Sequence, residues 1–289
     1  MPTSIVHLSD RGLLGLSGPD AKTFLQTMVT NSLSQLKPDQ PLYAAHLTGQ
    51  GRFLYDFFII ETPTHLLLDV ARDQLMPLAK ALHSYQVQNK VEYDDMSGDY
   101  SIYAIIGDDV DKKTITNGKI YADPRLNALG LRAVVPVNAP QPATNATLTD
   151  YHAHRIRLGV PDGQMDASPG KTILNEMCLA DLHGIDYKKG CYVGQELTAR
   201  THFRTQPKKR LMQVTFNGIA PPLGTPVMRG GLEIGTLYST TADGHGIAIL
   251  RLSEVAKGEP LLAGNMQLTA RKPDWATYTY PPSAADDNA

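Results

Sequence analysis

Among the residues able to do chemistry, the stretch KKGCYVGQELTAR, residues 188–200, holds Cys191, one of only two cysteines in the chain. The cysteine lies between a lysine–glycine turn and the run Gly194, Gln195, Glu196. A cysteine acts as nucleophile or metal ligand through its thiolate, which nearby cations and a helix N-terminus favour and apolar burial opposes. Cys191 follows Lys188, Lys189 and Gly190, and a helix starting near Gly194 would bring it close to the positive end of a helix dipole. That helix would carry Glu196 and Arg200 four residues apart, a spacing that permits an ion pair. The competing reading of Cys191 is a small buried residue, as lone cysteines commonly are. For Cys178, set among aliphatics in NEMCLADL, the buried reading prevails.

Downstream, no acidic residue occurs between Glu196 and Glu233, while Arg200, Arg204, Lys208, Lys209, Arg210 and Arg229 are basic. This zone is either a solvated face or a local surface for a polyanion. A metal site made by the chain alone is not expected. Two cysteines cannot supply the four thiolates of a usual iron–sulfur site, and His152 and His154, two apart, would diverge on a helix. A cluster shared with another protein stays open. No Walker-type phosphate loop is present, and the glycines of GLLGLSG fall at the wrong positions for a dinucleotide turn. In LTGQGRFLYDFF, Tyr55 and Asp56 follow a glycine-rich turn. An aspartate entering an apolar strand must be solvated, paired or used to bind something. A pterin ring, rich in N–H donors, is one ligand that needs such a carboxylate; a surface aspartate at a strand edge is the plainer reading.

These residues must be positioned by a sizeable scaffold. A chain of 289 residues suggests two or three domains. With 42% hydrophobic and 19% charged residues it has ample material for a core, and a net charge of −2 gives no global attraction to nucleic acid or anionic membrane. No apolar run approaches the roughly 20 residues that span a bilayer. The N-terminal MPTSIVHLSDRGLLGLSG has neither the pattern of a secretory signal nor that of an organellar presequence. Two cysteines make no disulfide framework, so a reducing compartment is expected.

Along the chain, SIVHLSDRGLLGLSG reads as strand, turn and strand, and GPDAKTFLQTMVTN as a helix burying Phe24, Leu25, Met28 and Val29. PLYAAHLTGQGRFLYDFFIIETPTHLLLDVA reads as consecutive strands with turns at TGQG and TPT. RDQLMPLAKALHSY places Leu75, Leu78, Ala79 and Leu82 on one helical face, with Pro77 restricting its start. QVQNKVEYDDMS and YSIYAIIG read as strands. VNAPQPATNATL, residues 137–148, reads as a connector, and DYHAHRIRLG returns to helix. After TQPKKR, short strands divided by Gly and Pro suggest a small barrel or sandwich. The terminal PPSAADDNA is expected to be disordered.

KGCYVGQELTAR resembles the signature of the folate-binding YgfZ family of iron–sulfur cluster assembly and repair proteins, relatives of the aminomethyltransferase (T-protein) of the glycine cleavage system. The surrounding RLGVPDG, GQELTARTH and KKRL look closest to the branch with the mitochondrial iron–sulfur assembly factor. LSGPDAKTFLQTMVTN, LTGQGRFLYDFFI, ADPRLNALGLR and PVMRGGLEIGTLYST extend the likeness over nearly the whole chain. The resemblance implies an α+β, three-lobed fold around a central hole with a C-terminal small β-barrel. It implies a discontinuous lobe from 1–45 and 140–205 with the cysteine motif, a second lobe at 46–139 and a barrel-like domain at 206–289. Lys189, Gly190, Cys191, Tyr192, Gly194, Gln195, Glu196 and Arg200 occupy the motif, with Cys191 as the reactive or cluster-ligating thiol, a metal ligand only when shared with a partner. Tetrahydrofolate is the implied ligand, with Tyr55 and Asp56 as its contacts, and an iron–sulfur cluster is held only transiently or with a partner. The implied partners are an A-type iron–sulfur carrier and [4Fe–4S] clients such as radical-SAM tRNA-modifying enzymes, in a bacterial cytoplasm or a mitochondrial matrix. Two departures separate the chain from the aminomethyltransferase. Tyr55-Asp56 stands where that enzyme has Asp-Asp, and IRLGVP lacks the glutamate of its Leu-Arg-Leu-Glu-x-Gly helix end. A folate-dependent one-carbon transferase is thus the second reading, and a tRNA-binding protein using the 200–210 basic zone the third.

Overall fold

The computed structural model describes residues 2–107, 115, 117–204 and 207–281. The end of the chain expected to be disordered lies, from residue 282 onward, outside the described residues. The fold is α+β and divides into two compact units, the first Met1–Gly49, Leu54–Tyr151 and Leu182–Gln195, the second Gln50–Phe53, His152–Asp181 and Glu196–Ala289.

Unit 1 is built on nine strands: β1 (Ser4–His7), β2 (Arg11–Ser17), β3 (Leu42–Leu47), β4 (Phe53–Glu61), β5 (Leu66–Ala71), β6 (Glu92–Asp95), β7 (Tyr100–Ile106), β8 (Lys119–Ala122) and β9 (Leu131–Pro136). They form a five-stranded sheet ordered β3-β4-β5-β2-β6 and a four-stranded sheet ordered β1-β7-β9-β8. Strand alternation gives the five-stranded sheet two distinct faces. Leu14, Leu16, Phe57, Ile59, Leu66, Leu68 and Val70 meet helices α1 (Ala21–Met28) and α2 (Leu75–His83), which bury Phe24, Leu25, Leu78 and Leu82 against them. The neighbouring positions Leu13, Ile60 and Leu67 pack instead with Val6, Ile102, Ala104 and Val134 of the four-stranded sheet. Pro77 is the third residue of α2, within the first turn where its missing N–H costs no helical bond. Val29, expected on the helix, is buried but extended, bridging to His46 of β3. The alternation of QVQNKVEYDDMS yields only the four residues of β6, because residues 86, 88, 89 and 90 are not buried and have no apolar face to dock.

In unit 2, helix α3 (Leu148–Arg157, entering the unit at His152), the single turn α4 (Gly163–Asp166), α5 (Gln195–Phe203) and the turn α6 (Leu252–Val255) accompany six strands. These are β10 (Lys209–Thr215), β11 (Pro226–Arg229), β12 (Leu232–Thr240), β13 (His245–Arg251), β14 (Leu261–Ala263) and β15 (Met266–Arg271). They close into a barrel, β10-β13-β12-β11-β14-β15, deciding between the barrel and sandwich readings. Closure leaves no unpaired edge. Leu211, Met212, Ile234, Leu237, Ile247 and Leu250 belong to one buried apolar cluster built on these strands. Arg155, fully buried, ties α3 to this barrel. Its guanidinium donates to Asp166 Oδ2 at 2.6 Å and Ser239 Oγ at 3.0 Å, while Asp166 Oδ1 accepts the Ser239 N–H at 2.9 Å. HRIRLGVPDG is therefore a structural lock in this chain.

Candidate functional site

The cysteine segment is held by the C-terminal end of α1. The last carbonyls of a helix lack intrahelical partners and carry the negative end of its dipole. Lys189, 8% exposed, donates from Nζ to the carbonyls of Gln26 (2.7 Å), Val29 and Asn31 (2.8 Å). The Val193 N–H takes the Thr27 carbonyl at 3.0 Å, the Asp186 N–H the Thr30 carbonyl at 3.0 Å, and His46 Nδ1 the Met28 carbonyl at 2.8 Å. With a carbonyl as acceptor, His46 is the Nδ1–H tautomer, and burial lowers its pKa so that it stays neutral. Thr30 and Asn31 fasten the start of the segment: Thr30 Oγ1 donates to the Gly184 carbonyl (2.6 Å), and Asn31 Nδ2 donates to those of His183 (2.8 Å) and Tyr43 (2.9 Å). The Lys189 ammonium also lies 5.0 Å from the ring centre of buried Tyr192.

Lys189 is thus a helix cap rather than a cation kept for the thiol, and burial pulls its pKa down to about 8. Between its two anchors, Lys189 and Val193, the chain exposes Gly190 and Cys191. Gly194 has φ +78°, a left-handed turn that a side chain would strain, and it ends the segment just before α5 begins at Gln195. Glu196 and Arg200 are both exposed and form no ion pair with each other among the described residues, so their helical spacing is unused. Cys178 is 1% exposed in the barrel core, and burial pushes its thiol up to about 12. The two cysteines are chemically opposite: one presented, one sealed.

The structure places Tyr55 and Asp56 on opposite faces of the five-stranded sheet. Tyr55 joins the helix-side core at its rim, as Val193 does, and its ring stacks at 6.4 Å on that of His46. Asp56, 9% exposed, accepts the Tyr43 hydroxyl at 2.7 Å on the intersheet side. Consecutive strand residues point apart, so one planar ligand cannot rest on both side chains.

On that intersheet side lies an ionic network whose members are scattered along the sequence. Asp69, fully buried, accepts Arg11 Nε at 2.7 Å and Arg132 Nη2 at 2.5 Å. Asp123 takes Arg125 at 2.7 Å, and Tyr151 Oη accepts from Arg125 (3.0 Å) and Arg132 (3.2 Å). Phe58, directly across from Asp69 in the ladder, has the guanidinium carbons of Arg132, Arg125 and Arg11 at 4.2, 4.9 and 5.7 Å from its ring centre. Burial alone would raise the Asp69 carboxyl, but the two guanidiniums outweigh it and hold it below the ordinary range. The available signal was a charged residue inside an apolar strand, LLLDVA, the same signal that picked out Asp56.

The basic zone does not form one surface. Arg210 is buried, with its guanidinium on the Asn175 carbonyl and 5.5 Å from the Tyr278 ring centre, and Arg229 pairs with Glu254 and with Glu259 at 2.5 Å. Arg200, Arg204 and Lys208 are exposed. Among the described residues no group of His, Cys, Asp and Glu could hold a metal ion, and no helix is long and apolar enough to cross a membrane.

Residues 208–278 match the CAF17 C-terminal β-barrel domain. The mitochondrial iron–sulfur cluster assembly factor IBA57 of Mus musculus is 31% identical over 93% of this chain and 84% of its own length, and that of Homo sapiens 30% identical over the same shares. The homologue from Neurospora crassa is 31% identical over 76% of the chain, which spans only 55% of that relative's length. The crystal structure of glycine cleavage system aminomethyltransferase T from Bartonella henselae superposes with a TM-score of 0.71 over 95% of this chain and 86% of that one, at 12% identity, a likeness of fold.

Proposed function

The chain belongs to the IBA57 family of iron–sulfur cluster assembly factors, and from that premise we propose that it serves cluster assembly by presenting the Cys191 thiol to a cluster carried by a partner. The observation that carries this reading is the exposed thiol held between two anchored residues, with the only other cysteine sealed in a core. A chain with one accessible thiol cannot ligate a cluster alone, so the remaining ligands come from the partner. An A-type carrier is the partner this chemistry calls for, and [4Fe–4S] enzymes, including radical-SAM tRNA-modifying enzymes, are the clients. The relatives' names place them in mitochondria; the matrix of a eukaryote or the cytoplasm of a bacterium is the compartment proposed for this chain.

A reduced folate is the proposed ligand of unit 1. Asp56 fits it, being a nearly buried carboxylate oriented by the Tyr43 hydroxyl, with the acceptor chemistry that a pterin's amino and ring N–H groups require. When bound, the folate supplies a one-carbon carrier. Tyr55, on the other face, supports the helix-side core instead. The reading is tested by maturation of a [4Fe–4S] enzyme in cells lacking the endogenous factor. Cys178→Ser is expected to restore activity and Cys191→Ser to fail while accumulating to the same level. Equal rescue by Cys191→Ser would remove the proposed role.

A further inference from the structure

We propose that unit 1 carries a second binding site, for a phosphate-sized oxyanion, in a cavity where its two sheets end. The cavity has a volume of about 160 Å³ and lies at one end of the sheet pair, where β1 closes and β2 and β7 open. It has room for about five waters, the scale of one phosphate group. His7, Arg11, Arg72, Tyr100 and Ser101 are among its lining residues, and none of the lining residues is acidic.

The donors outnumber the acceptors that meet them. Arg72 uses Nε on the Ser9 carbonyl at 3.2 Å, and its two terminal nitrogens have no hydrogen-bond partner among the described residues, although the Asp95 carboxylate lies within its electrostatic reach. The Tyr100 hydroxyl likewise has none among the described residues, while Ser101, the next residue of β7, falls on the other face of its sheet with Tyr103, on whose ring that of His7 leans at 5.2 Å. Arg11, 8% exposed, is fixed by Nε on the Asp69 carboxylate at 2.7 Å and by Nη2 on the Asp69 carbonyl at 2.6 Å, so it lends the cavity a positive charge that cannot swing away. Two guanidiniums and the Tyr100 hydroxyl bordering one small space suit an oxyanion, which accepts several charge-assisted bonds at once. A metal cation is the wrong chemistry there, since the lining offers no carboxylate.

The wall is built tightly. A Cβ added to Gly12 would lie 2.9 Å from Ser97 Oγ and 3.0 Å from Leu75 Cδ1, so the backbone at this lining position approaches as closely as only glycine allows. Ser97 is itself held, accepting the Leu13 N–H at 3.1 Å.

The test is calorimetric titration of inorganic phosphate into the full chain, at constant ionic strength set with chloride. The wild type is expected to bind, and Arg72→Gln and Tyr100→Phe each to weaken binding, the arginine change by at least about tenfold. Arg271→Gln, a cation on the barrel strand β15, controls for the loss of one positive charge and should bind as wild type does. The exposed position of Arg72 makes its variant tolerant of folding, and circular dichroism checks both variants. Glycerol 2-phosphate separates the two sources of the anion: binding at least as tight as phosphate marks the end of a larger ligand, and exclusion marks the free anion. No heat of binding in the wild type, equal affinity in Arg72→Gln, or acetate binding as tightly as phosphate would overturn the assignment.

Discussion

At the residue scale the ammonium of Lys189 does not play the role that its nearness to the Cys191 thiol suggests. A lysine two positions before a cysteine invites an electrostatic reading. Its Nζ is instead engaged by carbonyls about 160 positions earlier in the chain, a partnership that no local spacing encodes. The exposed cysteine itself was legible, because its neighbours are small and polar. The opposed directions of Tyr55 and Asp56 were legible too, from the period of two, but the motif drew them together. Lys189 gives a pH-dependent consequence. Unfolded lysine titrates near 10.4 and the folded group at about 8, so between these values the unfolded chain binds the extra proton. Stability from this group therefore rises as pH rises from about 8 to about 10.4. Lys189→Met should melt lower than wild type at every pH and lack that component of the rise, as read by melting temperature across the window. Identical pH profiles would show that the lysine is not titrating within the fold. For Asp56, Asp56→Asn keeps an acceptor for Tyr43 but loses the charge. It should weaken tetrahydrofolate binding by about tenfold with little change in melting temperature; unchanged binding would separate this carboxylate from the folate.

At the scale of elements, hydrophobic period located most of what positions the site. The four positions expected on the face of α2 begin and end as drawn, with Leu75, Leu78 and Leu82 buried. The start of the helix of 195–203 lies within one residue of Gly194, where the sequence puts it, yet only Thr198 is buried among its residues with the pattern so weak. What the pattern could not disclose is the ionic layer between the sheets of unit 1, because pairing among Asp69, Arg11 and Arg132 joins β5, β2 and β9. Removing one member of a buried pair leaves an uncompensated charge. Asp69→Asn should therefore lower unfolding free energy by about 3–5 kcal/mol, whereas Asp243→Asn, whose pair with Arg157 is 50% and 41% exposed, should cost less than about 1 kcal/mol. Urea denaturation of the two variants measures the contrast, and similar costs would contradict the view that the layer is a folding element.

At the scale of the whole molecule, unit 2 closes its strands into a barrel like the CAF17 C-terminal domain, while unit 1 gathers the cysteine segment, the folate candidate Asp56 and the oxyanion cavity. The barrel was foreshadowed by its regular Gly- and Pro-punctuated strands. The joining of residues 182–195 to the N-terminal portion in unit 1 is not legible from periodicity, since contacts of such sequence separation leave no periodic trace. On the proposed reading, a chain organised in this way offers a cluster one thiol and shares the cluster with its partner. The most direct measurement is size-exclusion chromatography with visible absorbance on an anaerobic mixture of the chain and a cluster-loaded A-type carrier. Wild type and Cys178→Ser should elute with the carrier as a coloured complex, and Cys191→Ser should elute apart and colourless. A coloured complex of the same stability with Cys191→Ser would contradict the account.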